Sequence, residues 1–228
     1  MADRGYVAFL RHGDYRQRAG APSARQPYPL TEKGLRQAAD GADALAAMVA
    51  AHGLTLAPVI YSSRQLRAWQ TADAVADRLR SLGHRVDGIE QTSALAERGL
   101  GSAANLTVDE IESVLRDDPR YGAPPVGWKS DSDYRLLLEG AESLMDAGQR
   151  VARHIEATTQ PGLVTIHVGH GASFRHACCC LGILEKAQIA ALSMFHAQPS
   201  LICHEPDGSW QHLDGAWKIR EPEDEPKD

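Results

Sequence analysis

Three apolar runs in this chain each end in residues able to handle an anion or move a proton. Tyr6 to Leu10 is followed by Arg11-His12-Gly13, Pro58 to Ser62 by Ser63 and then Arg67, and Leu163 to Val168 by Gly169-His170-Gly171. Imidazole is the side chain whose charge changes near neutral pH, so it serves as nucleophile or proton carrier. Guanidinium stays charged at any working pH and matches oxyanion geometry. Any one of these short motifs recurs by chance. Their placement after three separate apolar runs is the informative feature, because a parallel sheet presents its strand ends to ligands on one edge.

The elements that must position these residues are readable from periodicity. Tyr6 to Leu10, Pro58 to Ser62 and Leu163 to Val168 read as buried strands, with a further strand near Val86 to Gln91. Leu35, Ala38, Ala42, Leu45 and Val49 mark one face of a helix over 31–52, and Ala68, Ala72, Val75, Leu79 and Leu82 do so over 65–82, which Gly83 ends. Shorter helical patterns cover 107–115 and 141–157, and Gly171 opens a helix with Phe174, Ala177, Cys178 and Leu181 inward. Leu201–His204 and Trp210–Leu213 suggest a hairpin around Pro206-Asp207-Gly208. Strands alternating with helices imply a three-layer α/β/α sandwich, a mostly parallel central sheet and a helical insertion at about residues 100–140. The expectation is one domain over residues 1–220 and a disordered acidic tail at 221–228.

Composition excludes several classes. The 228 residues carry 43% hydrophobic and 24% charged side chains, ordinary for a globular protein able to bury a core without staples. The net charge is -6, of which Glu221, Glu223, Asp224, Glu225 and Asp228 against Lys227 supply -4. The body of the chain is thus nearly neutral, which argues against a nucleic-acid or anionic-membrane binder but not against a small anion, whose field is local. The first apolar run is too short for a signal peptide and none is long enough to span a membrane, so the cytoplasm is the expected location. Cys178, Cys179, Cys180 and Cys203 fit neither a disulfide framework nor paired zinc ligands and read as reduced thiols.

Less specific readings compete at the same positions. Arg11 and His12 suit a structural polar pair at a sheet end. His167 and His170 have the HxxH spacing of zinc ligands, but three positions along a strand point to opposite faces, so no metal is expected. Gly169 and Gly171 half-match a dinucleotide fingerprint that fails at Phe174, and no cofactor is expected. His52, His84 and His154 read as solvated, and His176 receives no assignment.

FLRHGD, PLTEKGLRQA at 29–38, YSSRQLRAWQTA at 61–72, ALAERGLG at 94–101, EGAESLMDAGQRV at 139–151 and VGHGASFR at 168–175 together resemble, in order and spacing, the histidine phosphatase superfamily in its phosphoglycerate mutase-like branch. The resemblance implies a phosphohistidine mechanism. His12 would be the nucleophile, Arg11 and Arg67 the phosphate clamps, His170 a hydrogen-bond donor to the phosphoryl group, and Glu97 the group that protonates the leaving oxygen and then activates water. Ser63 is a further candidate contact to the phosphate, or a strand-end serine satisfying its own turn. Arg16 and Arg18 are candidates for recognising acidic substrate groups, or a solvated face.

Sugar-phosphate mutases of this family continue RHG with Glu and place an Asn a few residues on, whereas this chain runs Gly13-Asp14-Tyr15-Arg16-Gln17-Arg18. RHGDY and APPVGWK at 123–129 are more similar to its phosphoprotein and phosphohistidine phosphatases. The expected function is a metal-independent phosphatase acting on a phosphorylated small molecule or a phosphoprotein. A mutase is the alternative within enzymes, and a catalytically inactive phosphate-binding scaffold the alternative outside them. No nucleic-acid or membrane partner is expected; a homodimer is the assembly to consider.

Overall fold

The computed structural model describes residues 4–220, so the acidic tail expected at 221–228 lies outside the described residues. A six-stranded sheet forms the centre, in the order β3 (Gly88–Thr92), β2 (Thr55–Ser63), β4 (Leu163–Gly169), β1 (Gly5–Arg11), β6 (Pro199–His204), β7 (Trp210–Asp214). The first four strands are mutually parallel, and the expected β6–β7 hairpin adds antiparallel to β1.

Period-two alternation along β1 divides the core. Ala8 and Leu10 face α1 (Glu32–Ala51) and α2 (Leu66–Ser81) and pack with Leu45, Val49, Val75 and Leu79. Val7 and Phe9 face α4 (Leu144–Thr158) and α5 (Gly171–Cys180) and pack with Val151, Ile155 and Phe174. Both faces of the parallel strands are covered, which is why they read as continuous apolar runs. Helix starts follow capping chemistry: the Thr31 hydroxyl accepts the Gly34 N–H, and Ser143 forms a capping box with Asp146.

Several sequence readings are corrected. Leu35 is 45% exposed, and the buried stripe of α1 begins at Gly34 instead. Leu82 is the exposed cap after α2 and not part of its stripe. His154 is half-buried against Tyr61 and His167 rather than solvated. His176 is buried, its ring between the Ala172 carbonyl and the Ser132 hydroxyl. The pairing of β5 (Leu192–Ser193) with β8 (Lys218–Ile219), and the short α6 (Lys186–Ala191), carry too few residues to show a period.

The segment at 100–140 holds a 3-10 turn at Gly101–Ala103, one α-helix, α3 (Val108–Asp117), and its own apolar cluster of Leu100, Ala103, Ile111, Leu115, Trp128 and Leu136, joined by Ala24 from the loop after β1. Close packing of α4 on α5 depends on Gly148, where an added Cβ would meet His176 Cβ at 2.5 Å. Gly148→Ala is accordingly expected to destabilise the fold by about 1–3 kcal/mol, read as a lower urea midpoint at unchanged slope.

Candidate active site

Because β2, β4 and β1 are adjacent, their carboxyl ends bring the three motifs together. Arg11 pairs with Gly169, Ser62 with Val168, and the His12 N–H donates to the Gly169 carbonyl at 2.9 Å. Gly13 must be glycine, since a Cβ there would lie 2.5 Å from the Gly34 carbonyl oxygen. Its N–H donates to Thr71 Oγ1 at 3.0 Å, and that hydroxyl donates to the Arg67 carbonyl at 2.8 Å, fixing the His12 loop against α2.

The hydrogen bonds define both histidine tautomers. His12 Nδ1 lies 2.8 Å from the Gly13 carbonyl, which can only accept, so Nδ1 carries the hydrogen and Nε2 keeps a lone pair. His170 Nδ1 lies 3.1 Å from Arg67 Nη2, which can only donate, so the His170 hydrogen sits on Nε2 and is donated to Ser63 Oγ at 3.0 Å. The two rings are 5.2 Å apart, edge to face. Burial, and next the Arg67 charge, hold both imidazoles well below the usual histidine pKa, so both are neutral at pH 7.

Arg67, in the first turn of α2, is completely buried. Its Nη1 donates to the Gln26 carbonyl at 3.0 Å and its Nη2 to those of Ser23 at 2.6 Å and Ala24 at 3.2 Å, while the guanidinium carbon sits 4.6 Å above the Tyr15 ring. Nε is buried with no hydrogen-bond partner. Burial lowers the Arg67 pKa to about 10, which leaves it charged at neutral pH. Arg11 is half-buried, donates from Nη1 to the Met194 carbonyl at 3.1 Å and lies against Gly171, where a Cβ would meet its Cδ at 3.2 Å.

Glu97 is buried at the same edge. Its Oε1 accepts the N–H groups of Arg98 and Ser173, each at 2.9 Å, and its Oε2 accepts that of Ala172 at 3.2 Å. The carboxylate therefore caps the first turn of α5, the helix that begins directly after His170.

His12, Arg11, Arg67, His170, Ser63 and Glu97 are thus brought to one edge of the sheet. Arg16 and Arg18 are not: both are exposed on the loop after β1, and Arg18 donates to the Asn105 carbonyl at 2.6 Å beside Glu110. Sequence reasoning missed five positions. Arg150 forks onto Glu142 at 2.9 and 2.8 Å and donates to the carbonyls of Ala94 and Ala96, holding the loop that carries Glu97. His196 Nδ1–H donates to the His12 carbonyl at 2.8 Å. Tyr15 stacks under Arg67 and bonds the Ser23 hydroxyl at 2.7 Å, and Gln26 folds the loop above it. Glu142 and Arg150 both fall inside a recognised segment and were findable as a pair; the other three lie on irregular backbone with no periodic signal.

His12, His167 and His170 are fully buried and disfavour protonation in the folded chain, burial being the first cause in each. In the unfolded chain they titrate near 6.5, so below that pH the unfolded state binds more protons. Stability is expected to be full above about pH 6.5 and to fall as the pH drops below it, by up to about 1.4 kcal/mol per pH unit for each such histidine, in denaturant titrations across pH 7.5 to 4.5.

Residues 7–214 match the family model for branch 1 of the histidine phosphatase superfamily. A solved structure described as mycobacterial hydrolase 1 superposes with a TM-score of 0.66 at 21% identity, covering 95% of this chain and all of the other. The mycobacterial glucosyl-3-phosphoglycerate phosphatase Rv2419c complexed with VO3 gives 0.62 at 22% identity, covering 96% and 98%. A phosphoglycerate mutase from Bacillus anthracis gives 0.68 at 17% identity, covering 94% and 93%. No functionally curated protein matches the sequence.

Proposed function

The chain belongs to branch 1 of the histidine phosphatase superfamily, and on that premise we propose that it is a metal-independent phosphatase hydrolysing phosphomonoesters or phosphoprotein through a phosphohistidine on His12. The observation that carries the reading is the fixed tautomer of a buried, neutral His12, which leaves Nε2 its lone pair, in a ring near enough to Arg67, His170 and Arg11 to feel their charge. Nε2 attacks phosphorus in line with the ester oxygen; the N–P bond forms as the P–O bond breaks, and the leaving oxygen takes a proton. Arg11, Arg67 and His170 are assigned the stabilisation of charge on the equatorial oxygens, His170 by turning its Nε2 hydrogen from Ser63 Oγ to the phosphoryl group, and preorganised donors of this kind dominate catalysis of phosphoryl transfer. Glu97, held at the same edge, is assigned the proton to the leaving group and then the activation of the water that cleaves the N–P bond.

A phosphatase is favoured over a mutase by Asp14, the residue after RHG. Its carboxylate accepts the hydroxyl of Thr31, the N-cap of α1, at 2.7 Å, and is read as a support of that cap and not as a group that binds a second part of the substrate. Incubation with a panel of phosphate esters and phosphopeptides is expected to release inorganic phosphate, with inhibition by orthovanadate and no loss in a chelator. Phosphate that stays on carbon and reappears on another hydroxyl would make the protein a mutase. Phosphate binding without turnover of any ester would make it a scaffold.

A further inference from the structure

The segment Ala21–Gln26 covers Arg67, and how it is folded has a bearing on the anion site. Gln26 is 1% exposed, and every polar atom of its side chain is used on the backbone of residues 18–22 of the same loop. Nε2 donates to the carbonyls of Ala21 and Pro22, each at 3.1 Å, and Oε1 accepts the Arg18 N–H at 2.7 Å. These three bonds curl the segment so that the carbonyls of Ser23, Ala24 and Gln26 itself converge on the two terminal nitrogens of Arg67. From the opposite side Gln65 Nε2 donates to the Ala24 carbonyl at 2.8 Å.

A guanidinium has five N–H donors in one plane. With the outer nitrogens taken by strap carbonyls and by His170 Nδ1, the plane of Arg67 is fixed, and what remains unpartnered in a fully buried position is Nε. A buried donor without an acceptor is costly, which marks it as a group built to meet a ligand. We propose that Gln26 is a positioning residue: it folds the Ala21–Gln26 strap into a carbonyl cradle that fixes the Arg67 guanidinium, so that the Nε–H is presented to the phosphoryl oxygens. The same grip orients His170 through its Nδ1. The proposal rests on the phosphate-binding reading of Arg67, and it predicts that Gln26 acts on the anion only through that arginine.

The test is a double-mutant cycle read by orthovanadate and inorganic phosphate binding in titration calorimetry, which requires no turnover. Gln26→Ala is expected to weaken vanadate binding about 10- to 30-fold in the wild-type background and less than about 2-fold when Arg67 is already lysine, since lysine lacks the fork that the carbonyls orient. Equal losses in both backgrounds would show a merely structural role and overturn the proposal, as would unchanged binding in a folded Gln26→Ala. Gln65→Met, which removes only the outer support of Ala24, is the milder second variant for the case that Gln26→Ala unfolds; it is expected to show the same dependence on Arg67 with a smaller loss, and additive effects would overturn the proposal. If wild type binds neither anion, the phosphate-site reading itself fails, an outcome distinct from failure of the cradle.

Discussion

Replacement of His12 by alanine is expected to lower kcat by on the order of 10⁴-fold or more on every phosphate ester the protein turns over, with the fold retained. The size follows from the division of labour at the strand ends. Arg11, Arg67 and His170 offer charge and hydrogen bonds, but only His12 combines an unprotonated Nε2, fixed by the Nδ1 contact to Gly13 at 2.8 Å, with a pKa held well below the ordinary value by burial. His170 does not replace it, because its Nε2 carries the ring hydrogen, donated to Ser63 at 3.0 Å, and the lone pair of its Nδ1 is occupied by Arg67. Melting curves separate loss of chemistry from loss of fold: the ring of His12 is buried, so a modest drop in Tm is expected, small beside the loss of rate. Residual turnover within about 10-fold of wild type would place the nucleophile elsewhere.

Arg67→Ala is expected to produce the second largest effect, about 10²- to 10³-fold in kcat/KM, with vanadate inhibition weakened in parallel. The loss has two parts that different measurements resolve. Removing the charge deprives the transition state of a clamp, which lowers kcat/KM. Removing the donor also strands the carbonyls of Ser23 and Gln26, while that of Ala24 keeps the Gln65 amide, which is expected to destabilise the fold by about 1–3 kcal/mol. Arg67→Lys restores the charge without the fork, and should recover more of the stability than of the rate. A variant with normal kcat/KM and normal vanadate inhibition would remove Arg67 from the anion site.

Much of this site was legible in the sequence because its residues follow directly on buried strands. The apolar runs at Tyr6–Leu10 and Leu163–Val168 are buried on both faces, so their ends are sharp, and the parallel pairing of β1 with β4 sets Arg11 opposite Gly169. Glu97 was legible only through resemblance: its placement depends on Arg150 reaching back from α4 to the carbonyls of Ala94 and Ala96, a contact across more than 50 residues that no local period reveals. Gln26 and Tyr15 were hidden for a related reason. Their loop has no hydrophobic repeat, and its form is set by side chains bonding to its own backbone. Leu35 shows the opposite failure, an apolar residue at helical spacing whose neighbour Gly34 takes the buried position, because only glycine lets α1 approach the carbonyl of Asp14.

The residues at the strand ends also explain why the formal charge misleads. A net charge of -6 resides mostly in the last eight residues, while the anion site gathers two arginines and two neutral histidines within the sheet edge. In the proposed mechanism, keeping those imidazoles neutral lets one act as nucleophile and the other as hydrogen-bond donor without adding charge that would bind product tightly.

The central claim, a covalent phosphohistidine on His12, is tested most directly by rapid quenching of the protein with a radiolabelled phosphate ester, followed by peptide mapping. The account predicts protein-bound phosphate that is stable in base and lost in acid, located on the peptide containing Arg11-His12-Gly13 and absent in His12→Ala. Label on another residue, or full turnover with no protein-bound phosphate at any quench time, would contradict it.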